Sequence, residues 1–230
     1  MEIGSSEWKN VIVEGAGRLG ISVRSHQADL FAVHALMLDK WNQKINLSAI
    51  HSPLDMAVKH YLDAIAPLHF VRQGRHVLDV GSGAGFPGIP LKVMIPSLPV
   101  TLVDATRKKV SFLKHVIREL GLTDISAVHA RVENLPEALE GSFDVIVSRA
   151  FSSLADIAEK SLPFLAPEGE IIAYKGRDAA VDIQQAAITQ DNGSTIFVPE
   201  GNHSRRLQMQ TLTFTLPFLD LNRTLIILRR

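Results

Sequence analysis

Cysteine is absent from this chain of 230 residues, which excludes disulfides, thiolate zinc sites and a thiol nucleophile. A covalent attack on C5 of a pyrimidine through cysteine goes with them. An excess of either charge is lacking too: 24 Lys+Arg face 24 Asp+Glu, so no global basic field draws the chain to nucleic acid and any such contact must come from a local patch. No apolar run approaches the ~18 residues of a membrane span, and Met1-Glu2-Ile3-Gly4-Ser5 shows no charged region leading into an apolar one. The expectation is a cytoplasmic protein with no membrane segment. The nine histidines show no metal-ligand spacing, and no internal repeat or low-complexity segment breaks the pattern.

What is present is a hydrophobic fraction of 46%, enough for one large α/β domain with an appendage. The most informative stretch is His76-Val77-Leu78-Asp79-Val80-Gly81-Ser82-Gly83-Ala84-Gly85-Phe86-Pro87-Gly88. An apolar run ends in an acid and enters four glycines within eight residues. That reads as a buried parallel strand feeding a nucleotide-type loop. Gly83-x-Gly85-x-x-Gly88 fits the dinucleotide pattern, and Asp104 lies near the spacing of about 20 residues expected of a ribose-binding acid. Asp79 shifts the balance. A fixed carboxylate at the mouth of the loop repels a pyrophosphate and welcomes an ammonium, so Asp-x-Gly-x-Gly-x-Gly suits S-adenosylmethionine better. Pro87 suits a helix start.

Ahead of this loop, residues 1 to about 70 show no convincing strand. Leu30, Val33, Met37 and Trp41 recur at helical spacing and predict a helix over 27–44. Ser52-Pro53-Leu54-Asp55 combines an N-cap, a first-turn proline and an acid, and opens a second helix through about Ile65. A helical cap over 1–70 and a main domain over 71–230 follow, with Arg72-Gln73-Gly74 as the break. Beyond the loop, strands are expected at 99–104, 125–129, 143–148 and 170–175, with helices at 107–120, 154–162 and 178–190 between and after them. The tail reads as a hairpin, 208–215 and 223–228 across Pro217-Phe218-Leu219-Asp220. The fold is therefore an α/β doubly wound sheet of seven strands, mostly parallel, closed by a C-terminal antiparallel hairpin. Asp79, Gly81, Asp104, Glu133 and Arg149 would gather at its switch point.

The run Val77 to Pro90, with its Gly-Phe-Pro-Gly-Ile-Pro extension, resembles the first motif of the RsmG (GidB) family, the guanine-N7 methyltransferases of small-subunit ribosomal RNA. Lys40-Trp41-Asn42-Gln43-Lys44-Ile45-Asn46-Leu47, Arg131-Val132-Glu133, Ser148-Arg149-Ala150-Phe151, Lys175-Gly176 and Arg223-Thr224-Leu225 match in the same order. The resemblance implies a Rossmann-like class I methyltransferase with S-adenosylmethionine at Gly81 and Phe86, at Val132 and Glu133 beside the adenine, and at Arg149. It also implies a guanine in the decoding region of 16S rRNA as target. The stretch 191–206 is longer than the family has between its last helix and closing hairpin.

Asp79, Gly81, Ser82, Gly83, Gly85, Phe86, Asp104, Val132, Glu133 and Arg149 are thus the expected cofactor residues. Asp104 suits two ribose hydroxyls or the N-cap of the next helix. Glu133 suits a nucleoside edge or a turn cap. Arg149 suits the cofactor carboxylate, the guanine O6 or a structural ion pair. No catalytic acid or base is assigned, because N7 has a free lone pair and positioning supplies the acceleration; the Asn-Pro-Pro-Tyr motif of many amino-nitrogen methyltransferases is absent. Lys40, Lys44, Asn46, Lys59, His60, Lys108, Lys109, Lys175 and Arg223, with Arg107 and Arg205-Arg206, are candidates for RNA contact. The expected partner is 16S rRNA or a precursor of the small subunit, met by a monomer. The competing readings are a methyltransferase for another RNA or a small molecule, and a non-catalytic ribosome-bound protein that holds the same cofactor. An NAD-dependent dehydrogenase is disfavoured by Asp79.

Overall fold

A computed structural model of the chain describes residues 1–71, 73–149, 153–176, 179–185, 188–191, 194–197 and 206–230. Its centre is one sheet of nine strands: β1 (Val77–Val80), β2 (Val100–Asp104), β3 (Ile125–His129), β4 (Phe143–Ser148), β5 (Leu165–Lys175), β6 (Ile188–Asp191), β7 (Ser194–Phe197), β8 (Leu207–Leu216) and β9 (Leu221–Arg229). The spatial order is β3-β2-β1-β4-β5-β9-β8-β7-β6. The first five are parallel, and β9 joins β5 antiparallel, with Lys175 opposite Thr224. The order reverses between β1 and β4, which opens a crevice beyond their carboxyl ends.

Nine strands replace the seven expected. The difference is the β6–β7 hairpin, which takes residues assigned above to the end of a helix over 178–190; that helix is the shorter α8 (Ala179–Gln185). β-branched residues at Ile188, Thr189, Thr195 and Ile196 favour extended backbone. Arg72, Ala150, Phe151 and Arg205 lie outside the described residues, as does most of 191–206.

Helices cover both faces of the sheet. One face carries α5 (Gly88–Met94), α6 (Arg107–Glu119) and the N-terminal helices, which share one apolar cluster with Val77, Val100, Leu102, Val145 and Tyr174. The other carries α7 (Leu154–Ser161) over Leu78, Val80, Val103 and Ile146. Strands buried on both faces explain the mainly apolar runs.

The N-terminal region contains α1 (Ser6–Arg18), α2 (Ser25–Asn42), α3 (Pro53–Met56), a π-helical turn (Ala57–Leu62), α4 (Asp63–Ile65) and a 3-10 turn (Ala66–Phe70). Ser52 caps α3 by accepting from the Asp55 N–H, as its sequence promised. The stripe expected on α2 is rotated. Its buried face is Gln27, Ala28, Phe31, His34, Ala35 and Leu38, whereas Val33 is 42% exposed. Small and polar residues at the contact let α2 lie close to α5, where Gln27 Nε2 donates to the carbonyls of Val93 and Met94, 3.2 Å each.

Candidate functional site

The loop after β1 is tied down by its own neighbours. The Gly81 N–H donates to the Val103 carbonyl (2.8 Å), and Ser82 Oγ donates to the Asp79 carbonyl (2.8 Å) while accepting from the Val103 N–H (3.0 Å). Gly85 has φ +92° and its missing Cβ leaves room for Ile89; a Cβ on Gly88 would lie 2.3 Å from Leu102 Cδ2 and 2.7 Å from Asp79 Oδ2. Only glycine serves at either position.

A cavity of about 340 Å³ opens beyond the carboxyl ends of β1, β2 and β3, lined by Gly81, Asp104, Ala130, Val132, Glu133 and Lys160, among others. Asp104 is held there by two bonds. Oδ2 accepts from the Gly83 N–H (3.0 Å) and Oδ1 from the Thr106 N–H (2.7 Å), so the carboxylate both braces the loop and faces the cavity. Each oxygen keeps a lone pair for another donor. Val132 is buried and apolar. The Asp156–Lys160 ion pair (2.7 Å) borders the far side; neither residue carried a sequence signal, because an i,i+4 acid–base pair is ordinary on any exposed helix.

Of the expected cofactor residues, Gly81, Asp104, Val132 and Glu133 line this cavity, and Asp79, Ser82, Gly83, Gly85, Phe86 and Arg149 do not. Ser82 is 1% exposed and its hydroxyl is committed to backbone. Phe86 turns into the N-terminal helices, its ring stacked on His60. Asp79 lies behind the loop rather than at its mouth. It is fully buried, Oδ2 accepts from the Gly88 N–H (2.9 Å), and Oδ1 has no partner. Burial pushes its carboxyl up to about 7, against the opposing pull of the Gly88 N–H and of the Arg149 charge.

Arg149 leaves β4 and crosses to the cap. Its Nη2 donates to the Lys59 carbonyl (2.8 Å) and sits 3.1 Å from Asp63 Oδ2, while its Nη1 is buried and unpartnered. Asp63 is 2% exposed and meets a second arginine, with Arg223 Nε 3.3 Å from its Oδ1. Asp63 escaped the sequence reading. A lone acid within Tyr61-Leu62-Asp63-Ala64-Ile65, where every neighbour is apolar, was the available signal.

The RNA candidates divide. Lys40, Lys44, Asn46, Arg107, Lys108 and Arg206 are exposed and Lys109 is half-buried. His60 is corrected: it is 8% exposed, bonded through Nε2 to Ser48 Oγ (2.8 Å), and burial with the nearby Arg149 charge brings its pKa down to about 3. A neutral buried imidazole cannot neutralise phosphate. Lys175 is likewise buried, 2.6 Å from Asp182, and Lys59 pairs with Asp55 at 2.7 Å. Neither is a free surface cation.

Residues 27–208 match the family model described as GidB, rRNA small subunit methyltransferase G. A relative from Geobacter sp. (strain M21) named ribosomal RNA small subunit methyltransferase G is 39% identical over 96% of this chain and 97% of its own length. One from Geobacter sulfurreducens with the same name is 43% identical over 76% and 81%. Among solved structures, a SAM-dependent methyltransferase from Aquifex aeolicus superposes with a TM-score of 0.54 at 15% identity, over 77% of this chain and 93% of that one, a likeness of fold alone.

Proposed function

This chain belongs to the rRNA small subunit methyltransferase G family, and from that premise we propose that it transfers the methyl group of S-adenosylmethionine to N7 of a guanine in the decoding region of 16S rRNA. The substrate form is 16S rRNA or a precursor of the small subunit, met by a monomer in the cytoplasm. No helix among the described residues is long and apolar enough to cross a membrane.

The observation that carries this reading is the cavity lined by Gly81, Asp104, Val132 and Glu133, and two orphaned buried atoms of opposite sense outside its lining support it. Asp79 Oδ1 is an acceptor without a donor, and Arg149 Nη1 is a donor without an acceptor. An amino-acid head carries an ammonium and a carboxylate that answer both. Asp104 keeps lone pairs for two ribose hydroxyls, Val132 offers an apolar wall to an adenine ring, and Glu133 accepts from its amino group. These residues therefore fit the cofactor in charge and in polarity. Bound there, S-adenosylmethionine supplies an activated methyl on a sulfonium. Nothing need remove a proton from N7, so the side chains bind and orient.

The test is incubation of tritiated S-adenosylmethionine with small subunits from a strain lacking the enzyme, followed by borohydride-aniline cleavage at the labelled nucleotide. Label at a single guanine with cleavage there is expected. Absence of label, or label resistant to cleavage, overturns the assignment.

A further inference from the structure

The adenosine-sized cavity occupies the carboxyl edge over β1, β2 and β3. The acceptor base must then approach from the other half of that edge, over β4, β5 and β9. Two arginines stand there, Arg149 at the end of β4 and Arg223 near the start of β9, with Asp63 of α4 between them at 3.1 and 3.3 Å. Without Asp63 the two guanidinium groups would repel each other in a site where both side chains are only 20% exposed. With it, the arrangement carries one net positive charge and both groups are held in place.

Their remaining donors differ. Arg149 has its Nη1 buried and without a partner, and its charge lowers the pKa of Asp79. Arg223 meets Asp63 as an ion pair, Nε 3.3 Å from Oδ1 without hydrogen-bond geometry, and Nη1 has only a long contact of 3.4 Å to the Asn222 carbonyl. Nη2 has no partner among the described residues, and the Nη1 contact lies in an exposed setting, unlike the buried Nη1 of Arg149. Arg149 is thus closed off by its own surroundings, and Arg223 offers an edge of N–H donors to whatever enters over β5. Gly176, beside it, has no side chain to fill that space; a Cβ there would be 3.9 Å from Arg223 Nη1.

We infer that Arg223 is the residue that selects guanine, donating from its outer N–H edge to O6 of the target base while Asp63 holds the guanidinium in position. The inference rests on the guanine-N7 reading above and goes beyond it by assigning the choice of base. Guanine and adenine share N7, and both can accept a methyl there. They differ at C6, where guanine presents an acceptor and adenine an amino donor. A fixed cationic donor at that point rewards the first and opposes the second. During transfer the sulfur–methyl bond breaks as the N7–methyl bond forms, and the positive charge passes from sulfur to the purine. No proton moves. Arg223 is therefore a selector and not an acid or base, and its contact is kept on O6, leaving the N7 lone pair open.

The test compares small subunits reconstituted with 16S rRNA that carries, at the mapped target position, guanine, hypoxanthine (O6 kept, 2-amino group lost) or 2,6-diaminopurine (O6 replaced by an amino group, N7 kept). Wild-type enzyme should methylate hypoxanthine within about threefold of guanine and lose about tenfold to hundredfold in kcat/KM on diaminopurine, the range of one hydrogen bond to a charged donor. Arg223→Met should lose a similar factor on guanine, show no further loss on diaminopurine, and bind S-adenosylhomocysteine within about twofold of wild type. Arg223→Lys, which keeps a single donor, should restore part of the discrimination. Equal wild-type rates on guanine and diaminopurine overturn the inference without any variant. So does an Arg223→Met enzyme that still discriminates in full. Failure of the wild type to methylate the guanine substrate would instead overturn the assigned reaction.

Discussion

The Phe86 ring of the glycine loop lies flat on the His60 imidazole, centroids 4.4 Å apart and planes 5° apart. Tyr61 meets the same phenyl ring edge-on at 5.3 Å, and His34, its ring 5.1 Å away, donates from Nε2 to the Ala84 carbonyl (2.9 Å). The N-terminal helices are thus a wall of the loop rather than an appendage beside it. His60→Ala removes the stacked partner and leaves a cavity, so stability should fall by about 2–4 kcal/mol. S-adenosylhomocysteine affinity should fall about tenfold as Phe86 loosens. His60→Phe keeps the stack and should hold both within about 1 kcal/mol. Calorimetry on the three proteins checks this, and equal loss in both variants would show that the Ser48 bond, not the ring, is what matters.

The same histidines make the fold acid-sensitive. Burial brings His34 down to about 4 and His60 to about 3 from the ordinary 6.5. Below pH 6.5 the unfolded chain binds two protons that the native state refuses, which lowers stability as pH falls. Asp79 acts oppositely, since its native pKa of about 7 lies above the ordinary 3.8, so the native state holds its proton first. Two histidines against one carboxylate leave a net loss on the order of 1 kcal/mol per pH unit between pH 6 and 4.5, to which His76, also lowered by burial, adds in the same direction. Urea melts across that range should show it in wild type and show it nearly abolished in His60→Phe. A wild-type stability that stays level would refute the neutral-histidine assignment.

The sheet was legible because parallel strands buried on both faces leave mainly apolar runs, as in Val77 to Val80 around Asp79 and in Val100 to Val103. The glycine loop was legible because only glycine fits where Gly85 and Gly88 stand. What escaped was set by tertiary contact. α1 has Gly15 and Ala16 on its buried side, so no apolar period marked it. The face of α2 was misjudged because His34 and Gln27 are buried while Val33 and Leu36 are exposed. Asp63 escaped because the two arginines that pair with it arrive from the ends of distant strands.

That close approach of α1 gives a further expectation. A Cβ on Gly15 would lie 2.3 Å from Leu62 Cδ1 and 3.0 Å from Phe218 Cε2. Alanine at a helix interior gains up to about 1 kcal/mol over glycine, but overpacking against a fixed core costs about 1–3 kcal/mol. Gly15→Ala should therefore destabilise, while Gly17→Ala, with nothing within 4 Å, should stabilise slightly. Thermal melts of the pair would contradict the packing if the order were reversed.

Asp79 offers a test of the cofactor site that needs no RNA. In the free protein its carboxyl sits near 7 because it is buried, and its Oδ1 lacks a donor. An ammonium arriving at that oxygen favours the ionised form and lowers the pKa, so binding must expel whatever proton is there. At pH 6.5 roughly three-quarters of the sites are protonated for a pKa of about 7, and S-adenosylmethionine should release a little under one proton. Its Kd should weaken toward tenfold per unit as pH falls from 7 to 5.5. Titration calorimetry in buffers of different ionisation enthalpy reads the proton directly. Asp79→Asn should bind more weakly at pH 7, release none and lose the pH slope. If wild type binds equally at pH 5.5 and 7 with no proton released, the ammonium does not meet this carboxylate and the amino-acid head lies elsewhere.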